Sequence, residues 1–176
     1  MLHIGDKVIY RSNGICTVEE KSRQEMPGST EKGGCECYVL RPMRDPSVKI
    51  FIQTANEALL RQIRPLWTAE EMLALLNRIP ELSMPWREDM RARTAVFRDL
   101  IAEGDREQIA AMIKLLYEKQ QQLRTAGKKL YAADENMLKK AERLLFEEAA
   151  YVIEMNEADI AHLFRSRIPA CTEDLE

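Results

Sequence analysis

Trp86 and the arginines around it are the residues of this chain best suited to act on a partner. The local sequence is Met84-Pro85-Trp86-Arg87, and Arg91 and Arg98 follow. A proline at or before a first helical position predicts a helix starting at Trp86. At about 100° per residue, Arg87, Arg91 and Arg98 then fall within about 40° of one another. An apolar wedge beside a cationic stripe can lever between nucleic-acid bases while holding phosphates. The same wheel carries an ordinary reading. Trp86 lies within about 40° of Met90 and Phe97, which would make it core. Both hold if one edge of the ring packs and the other is presented. The arginines alone also read as a solvated face, with Arg91 pairing Glu88.

Other chemistry is sparse. The histidines are His3 and His162, and neither sits beside a nucleophile motif. There is no phosphate-cradling glycine loop, nucleophile elbow or paired-histidine metal motif. The cysteines are Cys16, Cys35, Cys37 and Cys171. Cys35-Glu36-Cys37 is tighter than a zinc knuckle, so His3, Cys16, Cys35 and Cys37 are read as small buried thiols and a bystander histidine rather than ligands. The many carboxylates fall at spacings typical of solvated salt-bridge partners. The expectation is no catalytic residue, no metal and no cofactor.

Composition bounds the elements that must position Trp86. The chain has 176 residues, 45% hydrophobic and 31% charged, as for one medium or two small globular domains. No apolar run approaches the roughly 20 residues of a membrane span, so a cytoplasmic protein is expected. Net charge is −3. Up to residue 64 there are 10 basic and 8 acidic residues; beyond it, 16 and 21. A helical half at −5 can touch DNA only through a local patch, with most of the affinity supplied elsewhere.

Residues 1–64 read as β. Lys7-Val8-Ile9-Tyr10, Ile15-Cys16-Thr17-Val18, Cys37-Tyr38-Val39-Leu40 and Val48-Lys49-Ile50-Phe51-Ile52 are short β-branched and aromatic runs separated by glycine, proline and asparagine turns. They predict a small, strongly bent barrel, with residues 23–34 as an exposed mobile hairpin loop. In a strand, Lys49 and Phe51 share one face, taken as outward, and Ile50 and Ile52 the other. From Thr68 the period becomes 3.6. Thr68 with Glu71 predicts a capping box, Asp105 with Gln108 and Asn156 with Asp159 predict further helix starts, and another helix is expected from Asp134. Trp67 reads as structural, at the junction near Pro65. The fold class is therefore α+β: a barrel over 1–64, a compact bundle of about five helices over 67–168, and a flexible tail over 169–176.

The chain resembles the CarD/CdnL family of bacterial RNA-polymerase-binding transcription regulators. The resemblance rests on Gly5-Asp6-Lys7-Val8-Ile9-Tyr10 with Gly14 and Val18, on Tyr38-Val39-Leu40 and Val48 to Ile52 with Asn56-Glu57 and Leu60-Arg61, and on the tryptophan with its basic helix. Gly104-Asp105, Ile109-Ala110, Leu116, Leu130, Met137-Leu138, Ala141 and Glu148 follow the helical half in order. It implies a Tudor-like domain that binds the polymerase β subunit, partly by edge-strand pairing, with Lys49, Phe51, Gln53 and Arg23 as contact residues. It also implies that Trp86, Arg87, Arg91 and Arg98 meet promoter DNA near the −10 element and stabilise the open complex. The protein would be a non-enzymatic monomer, held at the nucleoid through polymerase. Phe51 and Gln53 stand where many relatives carry a basic residue and a proline. Glu88 and Asp89 make the run after Trp86 more acidic than usual. The competing reading is a protein–protein adaptor without DNA contact; a metal protein or hydrolase using His3 and the cysteines is a third.

Overall fold

The computed structural model describes residues 2–24, 34–169 and 171. The chain forms two compact units, Met1–Leu66 and Trp67–Glu176. The first is an antiparallel sheet of five strands: β1 (Lys7–Tyr10), β2 (Ile15–Gln24), β3 (Cys35–Pro42), β4 (Ile50–Gln53) and β5 (Ile63–Pro65). Between β4 and β5 lies α1, the helical turn Glu57–Leu60. Side chains alternate across a strand. Val8, Tyr10, Cys16, Val18, Tyr38, Leu40 and Ile52 accordingly share one core, onto which Ile50, Leu59, Leu60 and Ile63 pack. A bulge between Val18 and Glu20 shifts the β2–β3 register and bends the sheet. β1 reverses into β2 through a short 3-10 turn that ends on Gly14, at φ 70 and ψ −145, a conformation closed to residues with a Cβ.

The strand order is β4-β3-β2-β1-β5. Among the described residues β4 and β5 do not pair, so the predicted barrel is an open sheet with β4 at one edge. The chain between those strands is spent on α1, whose Leu59 and Leu60 pack against the core instead of extending a ladder. β4 starts at Ile50, two residues later than the sequence suggests. The Asp45 side chain accepts from the Ser47 backbone N–H at 3.2 Å, and the Val48 N–H is donated to the Asp45 carbonyl, which holds 45–48 in a turn. Arg23 is not in a loop: it lies on β2, in register with Glu36 of β3. The rest of the predicted hairpin loop, residues 25–33, falls outside the described residues, as does most of the predicted tail.

The second unit is helical: α2 (Ala69–Arg78), α3 (Met90–Glu103), α4 (Arg106–Thr125), α5 (Ala132–Ile153) and α6 (Glu157–Ser166). Thr68 and Glu71 form the expected capping box. Asp105 caps α4 through the Gln108 N–H, and Asn156 caps α6 through the Asp159 N–H. Met72, Leu76, Phe97, Met112, Ile113, Leu116, Leu145, Ile160 and Phe164 are among the buried residues of one core. None of the described helices is long and apolar enough to cross a membrane.

Candidate functional site

Trp86 does not start a helix. Residues 82–87 belong to no helix or strand, and α3 begins at Met90, with Asp89 as its cap accepting from the Ala92 N–H at 2.6 Å. Pro85 has no N–H and pushes its predecessor to extended geometry, so it ends helical structure here rather than opening it. The burial pattern follows. Leu82, Met84 and Trp86 are half-buried while Ser83, Pro85 and Arg87 are exposed, a period of two. Leu82, Met84 and Trp86 pack on the helical core. Met90, expected inward, is 44% exposed at the first position of α3, although it shares a helical face with buried Phe97.

Two buried cations hold this segment from behind. The Lys114 Nζ, on α4, donates to the carbonyls of Pro80 and Leu82, each at 2.8 Å. Arg93, on α3 and 2% exposed, donates from Nε to Asp134 Oδ1 at 2.9 Å and from Nη2 to Oδ2 at 2.7 Å. Its Nη1 reaches the carbonyls of Arg87 and Glu88. The carboxylate of Asp134, itself fully buried, raises the pKa of Arg93 further, so the guanidinium stays charged. Asp134 therefore lies in the first turn of α5 as an ion-pair partner; the helix it was expected to open begins at Ala132.

The Trp86 ring is the object of this apparatus. The Arg93 Cζ lies 4.0 Å from its centroid and the Lys119 Nζ 4.8 Å. Both are within range of cation–π attraction. The indole Nε1 is buried without a hydrogen-bond partner. One edge of the ring is thus turned into the protein while the residue as a whole remains half-exposed.

Arg87, Arg91 and Arg98 are exposed, and none makes an ion pair among the described residues. Arg91 and Arg98, seven residues apart, share a face of α3. Arg87 belongs to the irregular segment before α3 instead of the helical stripe. Of the two acids that weaken this patch, Asp89 is occupied at the helix N-terminus, where a carboxylate is favoured.

On the sheet, β4 presents an unpaired edge. Ile50 and Ile52 contribute to the core, and Phe51 and Gln53 are half-buried on the other face. Lys49 is exposed just before the strand. It adds to the hydrogen bonds from Arg41 that hold the Glu19 carboxyl below its ordinary pKa. Phe51 and Gln53 are therefore brought together on one edge, whereas Arg23 stands two strands away.

Arg93, Asp134, Lys114 and Lys119 went unnoticed in the sequence. A signal existed: Arg93 shares the helical spacing of Phe97 and Leu100, and Asp134 that of Met137, Leu138 and Ala141. Charges set within two apolar stripes imply a buried pair. Their separation of 41 residues gives no local hint.

Trp67 sits in a related arrangement. The Arg106 Cζ is 4.7 Å from its ring, and Arg106 holds Glu148 with Nε–O distances of 2.9 and 3.1 Å. The Trp67 backbone N–H is donated to Glu148 at 2.9 Å.

Two family models match this chain. One, described as CarD-like/TRCF RID domain, covers residues 2–64. The other, described as CarD, C-terminal domain, covers residues 68–165. No curated protein matches it.

Proposed function

The chain belongs to the CarD-like family of transcription-associated proteins that interact with RNA polymerase, and on that premise we propose that it stabilises the open promoter complex through Trp86. In this reading the sheet docks on the polymerase β subunit by its β4 edge, with Lys49, Phe51 and Gln53 as the contact face and Arg23 as a flanking cation. Strand addition supplies main-chain hydrogen bonds there. The helical unit then meets promoter DNA near the −10 element. Trp86 wedges at the edge of the melted region while Arg87, Arg91 and Arg98 hold phosphates. A monomer suffices, because tethering by polymerase raises the local concentration of a weak DNA patch. Its place in the cell, on this reading, is the cytoplasm, at the nucleoid wherever polymerase carries it.

The observation that supports this most is the fixing of Trp86. Two cations face its ring, buried Arg93 and Lys114 hold its backbone segment, and three arginines beside it lack ion-pair partners among the described residues. A wedge must not yield when it meets a base stack, and a ring clamped from behind meets that requirement. The test is open-complex lifetime with polymerase and promoter DNA. Trp86→Ala is expected to shorten it about 5- to 150-fold, the range for one base–aromatic stack, while polymerase binding is retained. An unchanged lifetime with retained binding would instead identify an adaptor that makes no DNA contact. Phe51→Arg tests the other half, and is expected to change affinity for the β subunit without altering the helical unit.

A further inference from the structure

The second place where reactive side chains gather is at the start of β3. Cys35 and Cys37, two apart on one strand, share a face of the sheet. Their sulfurs lie 3.7 Å apart. Cys35 Sγ also contacts the Gln24 carbonyl at 3.7 Å, and Cys37 Sγ the Cys35 carbonyl at 3.6 Å. Cys35 is half-exposed and Cys37 fully buried, so the pair has one open side. We propose that Cys35 and Cys37 form a dithiol site for a thiophilic trivalent metalloid, with a trivalent arsenical as the representative ligand.

Three occupants compete for two such sulfurs, and geometry separates them. A disulfide is the poorest fit. Residues i and i+2 of an extended strand are about 6.7 Å apart, at the far limit of the span a disulfide tolerates. Closing it would pull β3 out of its ladder with β2 and β4, where Cys37 is in register with both Ser22 and Gln53. A structural zinc ion takes four protein ligands, and among the described residues no group of three or more His, Cys, Asp or Glu could hold a metal. A centre that accepts two sulfurs and keeps a third substituent of its own needs neither a distorted strand nor further ligands. One bridging atom bonded to each sulfur at about 2.3 Å holds them about 3.3–3.8 Å apart for angles near 90–110°. The observed spacing falls within that bite.

The chemistry is a condensation. An arsenoxide, R–As=O, loses its oxygen and gains two As–S bonds. The two thiol protons leave with that oxygen as water, and arsenic remains trivalent throughout, so no oxidant or reductant is required. Half-exposed Cys35 reacts first and Cys37 second, within the same molecule. Burial pushes the Cys37 thiol up to about 11, and its contact with Cys35 adds to this. The second step therefore draws on a thiol that brings its own proton to the departing oxygen.

Phenylarsine oxide, added to the full-length protein, tests this by intact-mass measurement. The expected product carries one C6H5As unit and has lost two hydrogens. It should survive excess glutathione and be stripped by 2,3-dimercaptopropanol. Cys35→Ser should lower retention against glutathione by about 100-fold or more, the scale of a lost second attachment. Cys37→Ser should do the same, and Cys171→Ser should leave retention unchanged. Cys35 is half-exposed, so its variant keeps the test valid even if the buried Cys37 variant folds poorly. The proposal is overturned if glutathione strips the wild-type adduct as readily as the Cys35→Ser adduct, or if Cys171→Ser abolishes retention.

Discussion

Trp67 and Trp86 are held by the same kind of clamp, which differs in what else it fixes. Each ring lies against an arginine, and each arginine is locked to a carboxylate on α5: Arg106 to Glu148 and Arg93 to Asp134. At Trp67 the tryptophan backbone joins in, giving its N–H to Glu148. At Trp86 the arginine turns its remaining donor to the carbonyls of Arg87 and Glu88, beyond the tryptophan. A second cation, Lys119, faces that ring, and the indole N–H inside has no partner. The first arrangement ties the start of the helical unit to its core. The second fixes the segment that carries Trp86, whose Leu82 and Met84 also pack on the core. A buried polar group left without a partner costs stability and calls for an explanation outside folding.

The largest test removes the carboxylates. Asp134→Ala and Glu148→Ala each take the carboxylate from a buried arginine, and each should cost about 3–5 kcal/mol in urea unfolding. The comparison requires more than equal cost. With Trp67→Phe as background, Asp134→Ala should expose Trp86 to acrylamide quenching, whereas Glu148→Ala should leave Trp86 emission nearly unchanged. If both variants disturb Trp86 alike, the two clamps are one cooperative unit and the distinction fails.

A smaller effect separates the clamps from the sheet. Guanidinium groups keep their charge through moderately alkaline pH, so neither clamp should weaken there. Cys37 differs. Its folded pKa is raised to about 11 from an ordinary 9.0, so its contribution is complete below pH 9 and is lost as pH rises towards 11. Between pH 9 and 10 the sheet should lose about 1 kcal/mol. Tyr117, in the helical unit, is also raised, through burial and the neighbouring Glu142, but from an ordinary value of 10.0, so its loss begins higher. Both tryptophans report only on the helical unit. Tyr117 takes only about 0.4 kcal/mol from the helical unit over that interval, so the tryptophan unfolding curve should fall less than half as far as the β-sheet signal in circular dichroism; an equal drop in the tryptophan curve would contradict the assignment. The smallest effect belongs to Lys119→Met, which should cost about 0.5 kcal/mol and slightly loosen Trp86 while leaving Trp67 emission as it was.

The helices with side-chain caps were legible because a cap is local: Thr68 and Glu71, Asp105 and Gln108, and Asn156 and Asp159 lie within one turn. The open edge at β4 was not, since strand pairing depends on contacts far apart in sequence. The segment around Trp86 was misread for a sharper reason. Pro85 has two meanings, a favoured first residue of a helix or the end of regular structure. Only the cap at Asp89, four residues on, decides between them. The clamp itself joins Arg93 to Asp134 across two helices, and no window of sequence contains both.

The length of β4 also decides how this chain behaves in a crowded solution. An unpaired strand edge is a template for any other strand, including that of a second copy. Here the template is four residues long. So few ladder bonds cannot zip two copies together on their own; in the proposed docking they would add to contacts made by the neighbouring side chains. Lengthening the edge would, by the same bonds, invite aggregation; its shortness limits indiscriminate pairing.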